Sequence, residues 1–374
     1  MRILHLDPDD IDNPLSGGGP VRTLEIYRRL ARHHEITVLT PTFEGSTSEK
    51  VRDGIRCVRL GRKIRDHGSS HHITYLAALP SAVKRFDHDL LVEDFMPPCS
   101  ATWTPFFRHR DRPMVASVQW FFARDYTRRL KLPFHWGEEY GVRLYQNFVV
   151  LTDAMRLRIT ARHPRADCRV IGNGVDDDLF EVPERPGTGI LFLGRLEVVA
   201  KGIDLLLAAY ASIPEHEREP LTLAGTLQQP HAVRDLIDRF GLGRWVRMTG
   251  SYDATERSRL LAACRFVVMP SRTETFGMTI AEANAAARQV VLWDRTPMNE
   301  VASPGSLRVP AYDVTAYAAA MRRLLAMPAD ALAALGAASR AHATRWNWHT
   351  VADAQEQYYF DVMHRHRVER LQNP

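Results

Sequence analysis

Two carboxylates, Glu274 and Glu282, flank a short segment whose residue types suit phosphate binding. An apolar run ends at Pro270, Glu274 follows in a loop, and Phe276-Gly277 opens a predicted helix that carries Glu282. In a strand–loop–helix unit, this spacing directs both carboxylates toward one cleft. Carboxylates accept hydrogen bonds from hydroxyl groups, and the free amides of a helix N-terminus bind phosphate. A ligand with phosphates between two hydroxyl-bearing rings matches this layout, and a nucleotide sugar is such a ligand.

Two cations precede the acidic pair and lie between a predicted strand and a predicted helix. Arg195 follows the apolar run Ile190–Leu193, and Lys201-Gly202 comes shortly after it. At such a position, both side chains can neutralise a diphosphate and stabilise it as a leaving group. The alternative is that both are solvated loop charges, the usual state of arginine and lysine. Position alone does not decide between these interpretations.

A glycine-rich run, Ser16–Pro20, separates the first predicted strand from the first predicted helix. Small residues allow a ligand to approach the backbone closely at that helix start. A nicotinamide-dinucleotide fingerprint is rejected, because Arg22 occupies the third glycine position and Thr40 stands where an acidic residue would bind the ribose. A flexible surface turn is the other interpretation of this run.

Short apolar runs alternate with amphipathic segments along the whole chain, which predicts an α/β fold with parallel sheets covered on both faces. The residues from Val182 to Gly187 are rich in proline and glycine and form the candidate linker. We therefore predict two doubly wound domains that face a central cleft. The predicted strands are Arg2–Leu6, Glu35–Leu39, Asp89–Val92, Met114–Val118 and Phe148–Leu151, then Gly189–Leu193, Leu221–Ala224, Val246–Met248, Phe266–Met269 and Val290–Leu292.

Length and composition agree with this organisation and exclude several classes of protein. A chain of 374 residues exceeds one ordinary hydrophobic core. A formal charge of +5 is too small to indicate nucleic-acid binding. The apolar runs are too short to span a bilayer, and no secretory signal precedes the first strand. The four cysteines are widely scattered, so we predict reduced thiols in a cytoplasmic protein.

The region 103–145 is crowded with aromatic and basic side chains, including Trp103, Phe106, Trp120, Phe122 and Trp136. One interpretation is a surface that contacts a lipid-linked acceptor or the anionic inner face of the cell membrane. The other is an ordinary core with a solvated rim, since the two prolines interrupt any regular helical stripe.

Several motifs in this order resemble the GT-B glycosyltransferases of family 4. They are Val170–Asp176, Leu193–Leu196 with Lys201-Gly202, and Pro270–Gly277 through Glu282. The resemblance implies two Rossmann-like domains: an acceptor-binding domain, 1–168, and a nucleotide-sugar-binding domain, 169–350. It also implies a C-terminal helix, 351–374, that crosses back to the first domain. The implied reaction transfers a hexose from a nucleoside diphosphate sugar to a glycan or lipid-linked envelope acceptor, with retention of the anomeric configuration. UDP is the default nucleotide of the donor.

The resemblance also assigns roles to individual residues, with no metal and no cofactor besides the donor substrate. Arg195, Lys201 and Glu274 are the implied catalytic residues. Glu282 would accept the ribose hydroxyls, and backbone near Met248 would contact the base. The implied donor-binding residues are Gly18, Gly19, Gly194, Met248, Thr249, Thr275, Phe276, Gly277, Met278 and Glu282.

The chain departs from the family pattern at Gln119. The family often has a histidine at the end of the strand that here is Val115–Val118. Glutamine can hydrogen-bond a sugar hydroxyl but cannot act as a base. Either the alignment is shifted by one residue or transfer needs no histidine, and Gln119 is the candidate residue on the acceptor side. Two alternative functions share the architecture: a sugar-nucleotide 2-epimerase and a non-catalytic scaffold that binds nucleotide.

Overall fold

Two separate sheets organise the chain. The computed structural model describes residues 1–14, 16, 18–62, 70–121 and 123–372. Unit 1 comprises residues 1–172 together with the chain from His349 onward, and unit 2 comprises Asn173–Trp348. Each unit holds one sheet with helices packed against it, so the predicted α/β class with two Rossmann-like domains is confirmed.

Unit 1 contains an eight-stranded sheet in the order β3-β4-β2-β1-β5-β6-β7-β8. Its described strand pairs are parallel except for the antiparallel hairpin β3–β4. The central strands are almost wholly buried, which explains their near-continuous apolar sequences. The strands are β1 Arg2–Leu6, β2 Glu35–Pro41, β3 Glu49–Arg52, β4 Ile55–Leu60, β5 Leu90–Asp94, β6 Met114–Val118, β7 Asn147–Val150 and β8 Asp167–Val170.

Seven α-helices accompany this sheet among the described residues. The first helix carries Pro20 in its first turn, where a missing amide costs nothing, and buries Ile26, Tyr27 and Leu30. The last helix begins at the final residue of unit 2 and continues through unit 1, so the predicted crossing of the C-terminal helix is confirmed. The helices are α1 Gly19–Leu30, α2 Ser70–Arg85, α3 Thr104–Phe107, α4 Ala123–Leu130, α5 Phe134–Gly141, α6 Asp153–Thr160 and α14 Trp348–Gln372.

Unit 2 contains a six-stranded parallel sheet in the order β11-β10-β9-β12-β13-β14. The strands are β9 Ile190–Leu193, β10 Leu221–Ala224, β11 Val246–Gly250, β12 Phe266–Met269, β13 Val290–Trp293 and β14 Leu307–Val309. The helices are α7 Ile203–Ala211, α8 Pro230–Arg239, α9 Ala254–Ala263, α10 Met278–Ala285, α11 Met298–Val301, α12 Val314–Ala326 and α13 Ala329–Ala343.

Two features of the predicted organisation are wrong. A boundary after residue 168 would cut β8, which pairs with β7 in parallel register and therefore belongs to the first sheet. The candidate linker at Val182 to Gly187 lies inside unit 2 and is fixed there. The fully buried Arg288 guanidinium donates hydrogen bonds to the carbonyls of Pro183, at 3.0 Å, and Glu184, at 3.3 Å. Proline and glycine here set the path of the chain rather than its flexibility.

Candidate functional site

The charged residues that the sequence singled out in unit 2 converge on one edge of its sheet. Strand β9 lies between β10 and β12, so the strand order reverses there. In doubly wound sheets, ligands bind outside the carboxyl ends of the strands at such a switch point. Gly194 and Arg195 follow β9, and Glu274 follows β12. Met248 and Thr249 lie near the carboxyl end of β11, two strands away on the same edge.

Lys201 and Glu274 form an ion pair at this edge. The distance from Lys201 Nζ to Glu274 Oε1 is 2.5 Å, and both side chains are mostly buried. Gly202 makes this approach possible, because a Cβ there would lie 2.0 Å from the carbonyl oxygen of Pro270. The glycine therefore allows the loop after β9 to pack against the loop after β12. The pair unites a cation and a carboxylate that are far apart in the sequence.

Arg195 is exposed, while the backbone that precedes it is held by neighbouring loops. The Gly194 amide donates to the carbonyl of Ala224 over 2.9 Å. A Cβ on Gly225 would lie 1.8 Å from the carbonyl oxygen of Gly194, so the loops after β9 and β10 cross in close contact. This arrangement fixes the base of the Arg195 side chain and leaves its guanidinium accessible to an anion.

The start of α10 is suited to phosphate. Its N-cap is Gly277, with a φ of 99° and no side-chain cap, so no side chain occupies the first amides of the helix. Phe276 is buried and packs edge-on against Trp346, with ring centroids 5.1 Å apart. Thr275 and Met278, on either side, are half-buried. The turn therefore presents backbone N–H groups beside Glu274.

Glu282 is buried and engaged with an arginine that the sequence analysis missed. Arg257 Nη1 donates to Glu282 Oε1 over 2.8 Å, and Arg257 Nη2 donates to Asp176 over 2.7 Å. Burial raises the pKa of Glu282, and the Arg257 charge opposes that rise. Asp176 also accepts a hydrogen bond from the Trp348 indole over 3.1 Å. Arg257 on α9 therefore orients the carboxylate from a position that no local motif marks.

Unit 1 brings two of its predicted residues together at the carboxyl edge of its own sheet. Gly18 is the N-cap of α1, and Gly19 begins the helix. A Cβ on Gly19 would lie 3.7 Å from both the Oε1 and the Nε2 atoms of Gln119, which directly follows β6. Gly17, in the same glycine-rich run, lies outside the described residues.

Buried polar residues that the sequence analysis did not name lie behind Gln119. Gln119 Nε2 donates to Asp94 Oδ2 over 2.8 Å, and the other Asp94 oxygen contacts His5 Nε2 at 3.2 Å. Asp7 is buried nearby, and burial together with the Asp94 charge raises the pKa of Asp7. One ligand atom from each of His5, Asp7 and Asp94 lies within 4.8 Å of the others, the separation that a metal site requires. Protein groups already hydrogen-bond all three side chains, so the cluster is satisfied without a metal ion.

Several aromatic side chains of the aromatic-basic region of unit 1 face solvent. Trp103, Phe106, Trp136 and Tyr140 are exposed, between 47% and 71%, while Phe122 lies outside the described residues. Within the described part of the chain, no helix is long and apolar enough to cross a membrane. Other aromatic rings of the region are half-buried, so exposed and partly packed rings occur together there.

Comparison with known proteins places both units in one group. A model described as Glycosyltransferase Family 4 matches residues 16–179, and one described as Glycosyl transferases group 1 matches residues 187–327. The glycogen synthase of Mycobacterium tuberculosis is 30% identical over 262 residues, which cover 67% of this chain and 63% of that protein. The match thus spans less than two thirds of that relative's length.

Solved structures share the architecture of the whole chain. Sucrose-phosphate synthase from Thermosynechococcus elongatus superposes with a TM-score of 0.76 at 18% identity, covering 96% of this chain and 98% of that one. The Anabaena protein HepE in complex with UDP and glucose gives a TM-score of 0.70 at 17% identity, with coverage of 96% and 98%. At these identities, the likeness establishes the fold.

Proposed function

Because this chain belongs to the group 1 glycosyltransferases of the GT-B type, we propose that it transfers a hexose from a nucleoside diphosphate sugar. The acceptor in this proposal is a glycan or a lipid-linked envelope oligosaccharide. The observation that carries the proposal is the Lys201–Glu274 pair beside the uncapped start of α10. UDP is the proposed nucleotide of the donor, supported by the UDP in the structure of the similar HepE protein.

Each group at the unit 2 edge has a role in donor binding under this proposal. The α10 amides near Gly277 and the cations Arg195 and Lys201 hold the diphosphate. Glu274 accepts hydrogen bonds from hydroxyls of the donor sugar, and Glu282 accepts them from the ribose. Backbone at Met248 and Thr249 contacts the base. Because Lys201 and Glu274 already pair, the donor would bind to a cation and a carboxylate whose positions are set before it arrives.

The proposed chemistry is displacement with retention of the anomeric configuration. The bond from the anomeric carbon to the diphosphate oxygen breaks, and its electron pair passes to the diphosphate. Arg195 and Lys201 stabilise the negative charge that develops there. The acceptor oxygen bonds to the anomeric carbon on the same face, and its proton passes to the leaving phosphate oxygen. Gln119 therefore need not act as a base.

The deciding experiment follows a labelled nucleotide sugar with and without a cell-envelope extract as acceptor. A transferase releases UDP and labels the acceptor, and the anomeric proton coupling of the product reports retention or inversion. An epimerase converts the donor without any acceptor. A nucleotide-binding scaffold leaves the donor unchanged and only gains thermal stability with UDP. An inverted product would refute the retaining mechanism while leaving the transferase assignment intact.

We also propose that the enzyme needs no metal ion. Arg195 and Lys201 supply the two positive charges that a divalent ion would otherwise bring to a diphosphate. Turnover should therefore persist in excess chelator. A loss of activity that magnesium restores would contradict this part of the proposal.

A peripheral contact between unit 1 and an anionic membrane completes the proposal. Exposed rings such as Trp103 and Phe106 occur in the same region as the exposed cations Arg124 and Arg143. Aromatic and basic groups together favour the interface of an anionic bilayer. Binding to phosphatidylglycerol vesicles should weaken as salt rises and should fall when Trp103 and Phe106 are both changed to serine. Equal binding to neutral vesicles would contradict it.

A further inference from the structure

A buried hydrogen-bond chain in unit 1 ends at Gln119. Asp94 accepts from Gln119 Nε2 at one oxygen and contacts His5 Nε2 at the other. The second ring nitrogen of His5 lies 2.8 Å from the Tyr27 hydroxyl, which lies 3.2 Å from the Tyr359 hydroxyl. The chain thus links the end of β6 to helices α1 and α14.

Two further residues extend the chain to a group that can only donate. Gln355 Nε2 lies 2.7 Å from the Tyr359 hydroxyl, and Gln355 Oε1 lies 3.0 Å from Arg22 Nη2. Apart from Gln119, every residue in this chain is buried, with at most 6% of its surface exposed. Water therefore does not compete for these hydrogen bonds.

The two ends of the chain together set the direction of its hydrogen bonds. A guanidinium donates only, so Gln355 turns its oxygen to Arg22 and its nitrogen to Tyr359. A carboxylate accepts only, so His5 donates from Nε2 to Asp94, and the neutral imidazole then accepts at Nδ1 from the Tyr27 hydroxyl. Because the single Tyr27 hydroxyl proton goes to His5, the Tyr359 hydroxyl donates to Tyr27.

The Asp94 carboxylate also determines how Gln119 is oriented. A carboxylate accepts only, so Asp94 holds the amide nitrogen of Gln119 and leaves its carbonyl oxygen facing away. Among the described residues, the structure assigns no hydrogen-bond donor to Gln119 Oε1. That amide is half-exposed, and a Cβ added to Gly19 would lie 3.7 Å from it, at the edge where ligands of such sheets bind.

We propose that Asp94 is a positioning residue that presents Gln119 Oε1 as an acceptor for a hydroxyl of the bound sugar. The inference rests on the proposed function, because it assumes a sugar ligand at this edge. Its consequence is a specific preference: a hydroxyl can donate to Gln119, whereas a fluorine at the same carbon cannot. Arg22, Gln355, Tyr359, Tyr27 and His5 act through Asp94 and have no contact with the sugar in this proposal.

The orientation of Gln119 can be measured without any substrate. In protein labelled with ¹⁵N-glutamine, the Gln119 side-chain amide is assigned by its absence in Gln119→Leu. We expect one of its protons to exchange slowly and to lose that protection in Asp94→Ala. Fast exchange of both protons in the wild-type protein would overturn the proposed orientation, whether or not the protein transfers sugar.

The sugar preference is tested by binding of UDP-glucose and its monodeoxyfluoro derivatives, and of methyl glucosides with the same substitutions in the presence of UDP. We expect about tenfold weaker binding when fluorine replaces one particular hydroxyl, as the loss of one hydrogen bond predicts. If the effect occurs with the UDP-glucose series, the donor sugar contacts Gln119; if it occurs with the methyl glucosides, the acceptor does. A wild-type protein that binds every fluorinated sugar as well as its parent overturns the inference.

Two variants separate positioning from a structural role. Asp94→Asn offers one acceptor oxygen and one donor nitrogen. If its oxygen still accepts from His5, its nitrogen donates to Gln119 Oε1, and the Gln119 nitrogen then faces outward. The preference for hydroxyl over fluorine should therefore vanish or reverse. Gln119→Leu should abolish the preference without reversing it, and it remains informative even if Asp94→Asn fails to fold. A folded Asp94→Asn variant that keeps the wild-type preference contradicts the proposal. UDP-glucose turnover by the wild-type protein tests the proposed function separately.

Discussion

The carboxyl edges of the two sheets hold their polar groups in different ways. In unit 2, the side chains of the proposed site are charged and pair directly, as Lys201 does with Glu274 and Arg257 with Glu282. In unit 1, the buried hydrogen-bond chain behind Gln119 runs from Arg22 to Asp94. We call this hydrogen-bond chain the relay. Equivalent positions in two similar folds thus use ion pairs in one case and directed hydrogen bonds in the other.

Under the proposed function, the two arrangements have different roles. Ion pairs at a partly open edge hold cations where a diphosphate can contact them, which suits the stabilisation of a leaving group. A buried relay contributes little charge to a ligand but fixes which atom of an amide faces it, which suits recognition of a hydroxyl. The comparison predicts that changes in unit 2 alter the rate or the donor affinity, whereas changes in unit 1 alter selectivity or stability.

Replacing Lys201 with alanine should give the largest effect. Removing one preorganised donor to a developing negative charge typically costs about 10²–10³-fold in kcat, and we expect a loss in that range. Arg195→Ala should lower kcat in the same direction. Steady-state kinetics with UDP-glucose measure both, and circular dichroism should show intact folding. Lys50→Ala, which removes a half-exposed lysine from unit 1, is the control and should be fully active. Full activity in both unit 2 variants would refute the charge assignment.

Changing Glu93 to glutamine tests the buried side of unit 1. Burial raises the pKa of Glu93 to about 8, from an ordinary value of 4.5. Between these values the folded state holds a proton that the unfolded state has released, so Glu93 makes stability fall as pH rises. Relative to the wild-type protein, Glu93→Gln should gain roughly 3–4 kcal/mol in unfolding free energy from pH 5 to pH 8.

Denaturant unfolding at a series of pH values measures this difference. Tyr145 donates to Glu93 Oε2 over 2.8 Å, and the amide oxygen of glutamine can accept the same hydrogen bond. Glu35→Gln, at an exposed position on β2, is the matched control and should leave the pH slope unchanged. Parallel pH profiles for Glu93→Gln and the wild-type protein would show that Glu93 is ionised in the folded state.

A smaller effect is expected at Glu282. If its carboxylate binds the ribose equally in the ground state and the transition state, Glu282→Ala should raise the donor KM about tenfold and change kcat little. Arg257 keeps its hydrogen bond to Asp176 in that variant, so the fold should survive. Glu256→Gln, an exposed change on the neighbouring helix, is the control. A loss confined to kcat would place Glu282 in the chemical step instead.

The same contrast explains what the sequence could predict. Two short segments of unit 2 each follow a strand and together carry Arg195, Lys201, Glu274 and Gly277. Local spacing is therefore enough to predict that these residues lie at one edge of the sheet. The relay draws its residues from widely separated parts of the chain, and only the strand order and α14 bring them together. The contact between Arg257 and Glu282 could not be predicted for the same reason, since no residue near Arg257 in the sequence indicates it.

The organisation of the chain shows the same limit. The strands with continuous apolar sequence were predicted within one or two residues, because burial on both faces leaves a local pattern. The hairpin β3–β4 was missed, since exposed charged residues such as Glu49 and Lys50 dominate β3. The linker prediction failed because the contacts that fix Pro183 come from Arg288, far along the chain.

The smallest predicted effect comes from removing the Tyr27 hydroxyl. Tyr27→Phe takes away the donor that fixes the His5 proton on Nε2, but His5 can still donate to Asp94 in that form. The preference for hydroxyl over fluorine should therefore fall only about twofold to threefold, with a loss of about 1 kcal/mol in stability.

Tyr75→Phe provides a matched control in the same unit. Tyr75 is equally buried, and its hydroxyl donates to the Leu39 carbonyl over 3.1 Å, outside the relay. That variant should lose similar stability and keep the full sugar preference. If both tyrosine variants change the preference equally, the effect follows from loosened packing; if only Tyr27→Phe changes it, hydrogen-bond direction is transmitted from α1 to Gln119.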